Sequence, residues 1–168
     1  MIEIEKNRIR KIMPKILAAL KKKGFDPYFF ETVDEARRFI TERIEPQETV
    51  GVGGSVTLRD ELGIVESLRK RGNYVCDHYD ANEDPVRRLE LKRKQRGMDV
   101  FLSSVNALTS EGVLVNLDGG GNRVAGMCSG PKKVNQTWVI TPGPLTSITT
   151  WDAPGATRTG LPPRGTLD

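Results

Sequence analysis

Histidine occurs once in this 168-residue chain, and cysteine only twice. A single histidine, His78, excludes a histidine-based metal site. Two thiols, Cys76 and Cys128, can build neither a disulfide framework nor a cysteine-only metal site, and no cysteine pattern here holds an iron–sulfur cluster. No apolar run approaches the roughly 18 residues of a membrane span. The opening Met1-Ile2-Glu3-Ile4-Glu5-Lys6 lacks the apolar core and basic flank of a signal peptide, so the chain reads as cytoplasmic. A large excess of one sign of charge is also lacking: 26 basic residues face 22 acidic ones, for a net charge of +4 and a pI of about 9.2, too mild to claim nucleic acid. Hydrophobic residues at 37% and charged residues at 29% exclude a disordered or collagen-like chain, and the length fits about one domain.

Helical periods and glycine stops organise the rest. Ile9, Ile12, Met13, Ile16, Leu17 and Leu20 recur at the 3.6 period, with Pro14 inside the pattern as a kink or first-turn residue. Lys21-Lys22-Lys23 and then Gly24 end that helix. Tyr28-Phe29-Phe30 reads as a strand, and Asp34 as the cap of a second helix with Ala36, Phe39, Ile40 and Ile44 on its apolar face. Thr49-Val50-Gly51-Val52 is a buried strand, followed by a helix with Leu62, Val65 and Leu68 on one face and Gly72 at its end. Tyr74-Val75-Cys76 is the next strand. Pro85 opens a highly charged helix that Gly97 stops. Val100-Phe101-Leu102 and Val113-Leu114-Val115 are further strands. The alternation predicts an α/β protein with a largely parallel, Rossmann-like sheet and helices on both faces.

The composition breaks after Val134. Residues 135–168 hold eight threonines, five of the ten prolines and both tryptophans, with no Lys and no Glu. The expected organisation is therefore an α/β domain over 1–134 and a divergent, irregular tail over 135–168. At most Trp138 to Ile140 adds a short strand, and loop is expected beyond Pro142.

Three loops carry candidate chemistry. Gly53-Gly54-Ser55-Val56-Thr57 follows a strand and precedes a helix. Its glycines let a backbone approach an anion, and Ser55 and Thr57 add hydroxyls. It matches neither the Walker loop nor the dinucleotide Gly-x-Gly-x-x-Gly pattern. It reads either as an anion or carboxylate site or as a tight turn. Ser103-Ser104-Val105-Asn106-Ala107-Leu108-Thr109 also follows a strand, with Asn106 as a ligand amide or a turn residue bonding its own backbone. Asn116-Leu117-Asp118-Gly119-Gly120-Gly121-Asn122-Arg123 is the third. There Arg123 could clamp a carboxylate or phosphate, and Asp118 could serve as base, as metal ligand or as the partner of Arg123. His78 reads as a solvated loop histidine, and the two cysteines as structural thiols. The run Arg87-Arg88, Lys92-Arg93-Lys94, Arg96 is diluted by Glu83, Asp84 and Glu90 and lacks interleaved aromatics, so it reads as a solvated helix face.

Together, Gly51-Val52-Gly53-Gly54-Ser55-Val56-Thr57-Leu58, Ser104-Val105-Asn106-Ala107-Leu108-Thr109 and the run from Asn116 through Arg123-Val124-Ala125 to Gly130-Pro131-Lys132-Lys133-Val134 resemble the LUD domain. This is the lactate-utilisation domain of the B and C subunits of bacterial L-lactate oxidation systems, and the likeness spans residues 1 to about 134. The resemblance implies a fold similar to ribose-phosphate isomerases, CoA transferases and formyltetrahydrofolate cyclo-ligases. It implies a C-subunit-like part in oxidising L-lactate to pyruvate, with iron–sulfur clusters in partner subunits and no cofactor in this chain. The expected site is a small-anion site of Gly53, Gly54, Ser55, Thr57, Asn106, Asn122 and Arg123, with Asp118 as the catalytic candidate and no metal. From Asn135 the family's Gly-x-Asn-Lys turn and tail cysteines are missing, as after a frame change or truncation. The rival reading is a stand-alone isomerase or an acyl- or CoA-transferase-like enzyme.

Overall fold

The computed structural model describes residues 3–140 and 145–152. Helix α1 (Glu3–Lys22) runs through Pro14 and ends before Gly24, whose φ of 85° is a left-handed value that favours glycine. Strand β1 (Asp26–Phe30) and helix α2 (Val33–Arg43) follow. The cap of α2 is Thr32 rather than Asp34. The Thr32 side chain accepts from Glu35 N while Glu35 reaches back to Thr32 N, a reciprocal capping box. Asp34 stands in the first turn and pairs with Arg37. Next come β2 (Val50–Val52), a π-helical turn (Thr57–Glu61), α3 (Ile64–Arg71), β3 (Val75–Asp77) and a 3-10 turn (His78–Ala81). Helix α4 (Pro85–Lys94) is capped by the Asp84 carboxylate and runs into a second 3-10 turn (Gln95–Gly97). The chain continues through β4 (Val100–Ser104), β5 (Ala107–Leu108), β6 (Leu114–Val115), α5 (Asn122–Cys128), β7 (Lys133–Ile140) and β8 (Leu145–Asp152).

The main sheet has the order β1-β8-β7-β4-β2-β3. Strands β3, β2, β4 and β7 are parallel neighbours, and β8 lies antiparallel between β7 and β1. The expectation of a mostly parallel α/β sheet holds. Strand alternation divides the core into two layers. Val50, Val52, Val100 and Leu102 point to one face, where α2 and α3 bury Ala36, Ile40, Ile64 and Leu68 and the end of the π-helical turn adds Leu62. Phe101 and Val134 point to the other, under Met13, Ile16 and Leu20 of α1 and Met127 of α5.

Two expectations are corrected. The segment around Val113 to Val115 is not a strand of the main sheet, because β5 and β6 form a separate antiparallel hairpin. The irregular tail is corrected over its first half. Strand β7 runs unbroken through Val134 to Ile140, and β8 pairs with it from Ile140↔Leu145 to Lys133↔Asp152. The physical reason is that Pro142, Pro144 and Pro154 flank the segment 145–152 without entering it, while Thr146, Ile148, Thr149 and Thr150 within it are β-branched. The expectation for 153–168 falls outside the described residues.

At the amino edge of the sheet, Asp99 ties three strand starts together. It accepts from Lys132 Nζ at 2.8 Å, Thr49 N at 3.0 Å and Thr49 Oγ1 at 2.7 Å. Those donors hold its carboxyl well below the usual carboxylate range.

Candidate functional site

The carboxyl ends of β2, β3 and β4 lie side by side, and each releases a loop that carries polar groups. Parallel sheets gather their ligand loops at this edge. From β2 the chain enters Gly53-Gly54-Ser55, where Gly53 N donates to Leu102 O of β4 at 2.8 Å. Nothing larger than glycine fits at Gly53. A Cβ there would lie 2.9 Å from the Phe101 ring and 3.2 Å from Ser103 Oγ. Ser55 is buried, and its hydroxyl accepts from Leu58 N at 3.1 Å, which caps the π-helical turn. Thr57 reaches Glu61 at 3.5 Å. The glycine loop is stitched to β3 by Arg59, which pairs with the fully buried Asp77 at 3.0 Å and lies over the Tyr79 ring.

The second and third loops are locked to each other. Asn106 is exposed, and its Oδ1 accepts from Leu117 N at 2.8 Å, while its own N–H bonds Val115 O. Asp118 is used by the backbone. One carboxylate oxygen accepts from Gly120 N at 3.1 Å, and the other from Arg123 N at 2.8 Å and Val124 N at 3.0 Å, at the start of α5. Burial works against its charge, but the three N–H donors together with Arg123 outweigh it and hold the carboxyl below its ordinary value. A carboxylate so engaged is a weak base. The Asp118–Arg123 side-chain pair, one of the alternatives open for Asp118, does not form. Instead the Arg123 guanidinium donates to two main-chain carbonyls, Ser104 O at 3.2 Å and Leu117 O at 2.6 Å. Arg123 therefore pins the 116–121 loop onto the end of β4. Replacing it with alanine is expected to cost about 1.5–3 kcal/mol, the usual loss for charged hydrogen bonds. Urea unfolding of Arg123→Ala measures this.

The structure thus brings Gly53, Gly54, Ser55, Asn106, Asp118, Asn122 and Arg123 to one end of the sheet. The 53–55 loop and α5 even share a contact, since Gly53 and Gly126 both press on the Phe101 ring. Thr57 stands one turn further along and is half-buried.

Three residues at this edge were missed or misread in the sequence. His78 is not solvated: it is 7% exposed and sits against Gly54, where a Cβ would lie 2.6 Å from its Cε1 and 3.1 Å from its Nε2. With φ of 76°, Gly54 also needs glycine's freedom. Gln95 is fully buried and places its Nε2 2.5 Å from Val52 O and 3.0 Å from His78 Nδ1. Lys92 of α4 is half-buried, with its Nζ 3.3 Å from where a Gly120 Cβ would stand. The signals were faint. Lys92 and Arg88 share a helix face at i,i+4, but neighbouring Glu83, Asp84 and Glu90 made the whole run look balanced. Otherwise α4 buries no side chain, as a solvated helix does.

Burial pushes the His78 pKa down. Asp77 opposes the shift, and Lys92 and Arg88 add to it. A histidine held neutral in the folded state stabilises the fold above its ordinary value of 6.5. That stability drains away as the pH falls from about 6.5 toward the lower folded value, because the unfolded chain takes the proton first. Since His78 is the only histidine, the urea midpoint is expected to fall between pH 7 and pH 5.5, and a His78→Gln variant to lose that slope.

Among the described residues, no group of three or more His, Cys, Asp or Glu side chains is placed to hold a metal ion. Nor is any described helix long and apolar enough to cross a membrane. The arrangement is that of an α/β protein whose glycine-rich loops meet at the carboxyl edge of parallel strands. Residues 13–135, well over half the chain, match the family model of the LUD domain, and the chain belongs to that family. No curated protein and no solved structure matches it. The family match ends at Asn135, inside β7 and at the point where the composition changes.

Proposed function

We propose that this chain is the non-redox, C-subunit-like component of an L-lactate oxidation system, holding a small carboxylate or phosphate at the loops 53–55 and 116–123 and assembling with iron–sulfur partner subunits. The observation that carries this reading is the meeting of these loops at one sheet edge within the LUD-matched segment. Backbone N–H groups of a glycine loop and a partly buried ammonium suit an oxyanion. The electrons of lactate oxidation would pass to the partner's clusters, because the two cysteines here stand apart: Cys76 is buried in β3, and Cys128 ends α5.

The test is reconstitution. Purified iron–sulfur lactate-utilisation subunits are assayed for lactate-dependent reduction of an electron acceptor, with and without this chain. A rise of tenfold or more on adding the chain is expected. An unchanged rate, with no co-elution of chain and partner, overturns the reading.

A further inference from the structure

A buried amide at this edge is oriented at a cost. Val52 O only accepts hydrogen bonds, so the Gln95 group 2.5 Å from it must be the NH2. The other hydrogen of that NH2 then faces His78 Nδ1 at 3.0 Å. Nδ1 must accept, which places the ring proton on Nε2. The orientation leaves Gln95 Oε1 buried with no partner among the described residues. An orphaned buried carbonyl is unfavourable, and the histidine it positions supplies a reason for it.

The backbone fixes Gln95 just as firmly. A Cβ at Gly51 would lie 2.4 Å from Gln95 O, and one at Gly130 would lie 2.0 Å from Arg96 O, so two glycines clasp the 95–97 turn. The product is an imidazole whose Nε2–H is its only donor and has no hydrogen-bond partner among the described residues. It lies along Gly54, which alone lets the loop come this close.

One cation stands by. Lys92 of α4 makes no ion pair and no side-chain hydrogen bond among the described residues, and it acts on His78 electrostatically, whereas Arg88, one turn earlier, already donates to Asn82 O. Asp77, the acid next to His78, is already taken by Arg59. Lys92 Nζ also borders Gly120, which places an ammonium at the second glycine loop.

We propose that His78, fixed as an Nε2–H donor by Gln95, forms with Lys92 the wall that grips an oxyanion between the Gly54 and Gly120 loops. The inference rests on the anion-binding reading above and supplies the residues that contact the ligand. A donor-only imidazole and an ammonium select carboxylate or phosphate oxygens and reject cations and neutral amides. Arg123 and Asp118, by contrast, hold the loop.

The single histidine makes the test direct. Full-length protein carrying 15N-labelled histidine is examined by two-bond 1H–15N correlation, alone and with L-lactate or inorganic phosphate, alongside calorimetry. The Nε2–H tautomer is expected at pH 7, and the Nε2 resonance should move on addition of at least one anion. Lys92→Ala, on a half-exposed helix position, should stay folded by its amide spectrum and bind at least tenfold more weakly. The anion that binds more tightly identifies carboxylate or phosphate as the natural chemistry. An Nδ1–H tautomer overturns the inference. So does anion binding by calorimetry with a silent His78 and unchanged affinity in Lys92→Ala, an outcome that leaves the anion-binding reading standing. No binding of either anion overturns both.

Discussion

A chain stopped after Ile140 is expected not to fold. Strand β8 is interior, with β1 on one side and β7 on the other. It pairs with β1 from Asp26↔Thr150 to Phe30↔Thr146 and with β7 along its whole length. Removing it breaks two ladders and leaves β1 joined to the sheet by no neighbour. The apolar residues of β1, Phe29 and Phe30, lie on opposite faces and pack against the two core layers, so both layers are opened at once. Each net backbone hydrogen bond contributes about 0.5–1.5 kcal/mol, and the whole stability of a domain is about 5–15 kcal/mol. The loss therefore exceeds what the domain holds, and the bared edges of β7 and β1 favour aggregation. Soluble yield and the far-ultraviolet circular dichroism of chains ending at 140 and at 152 check this. A well-folded, soluble 1–140 fragment would show that β8 adds nothing to the fold.

Gly51→Ala is expected to be strongly destabilising. Gly51 lies in the middle of β2, between β3 and β4. Its added Cβ would stand 2.4 Å from Gln95 O and 3.1 Å from Gln95 C, both main-chain atoms that cannot rotate away. Relief requires moving the 95–97 turn off the sheet, which would drag Gln95 Nε2 from Val52 O and release His78. A cost of about 3 kcal/mol or more is expected, at the upper end of overpacking penalties. Gly97→Ala is the control: two residues along the same turn, with nothing within 4 Å and no left-handed φ, it should change stability by less than about 0.5 kcal/mol. Urea unfolding of both variants decides it, and equal losses would contradict the clasp.

Much of this architecture is legible in the chain. The β-branched and aromatic segments Val50–Val52 and Val100–Leu102 read as buried strands because they must cover two faces, and they do. Gly24 and Gly72 stop α1 and α3 through left-handed φ values of 85° and 98°, while α4 gives way at Gln95 to the 3-10 turn that Gly97 ends. The loops were found for the same reason, since glycine runs after strands have few other uses.

What escaped depends on tertiary partners. His78 looks solvated among Asp77, Tyr79 and Asp80, yet the fold turns those neighbours toward Arg59 and Arg69 and buries the ring. The fork of Arg123 suits a carboxylate, and no local pattern shows that two carbonyls from β4 and the 116–118 segment already occupy it. Strand β8 was hidden by composition: without Lys or Glu and between prolines, a threonine-rich segment reads as loop until a partner strand is placed beside it.

The most direct test of the central claim is an amide-resolved titration with L-lactate, repeated with inorganic phosphate. If the two glycine loops form one anion site, the amides of Gly53, Gly54 and Ser55 and those of Gly119 to Asn122 shift together along a single saturable curve, while the β5–β6 hairpin tip at Ser110 and Glu111 stays still. Shifts confined to one loop, scattered over the basic face of α4, or absent with both anions would contradict it.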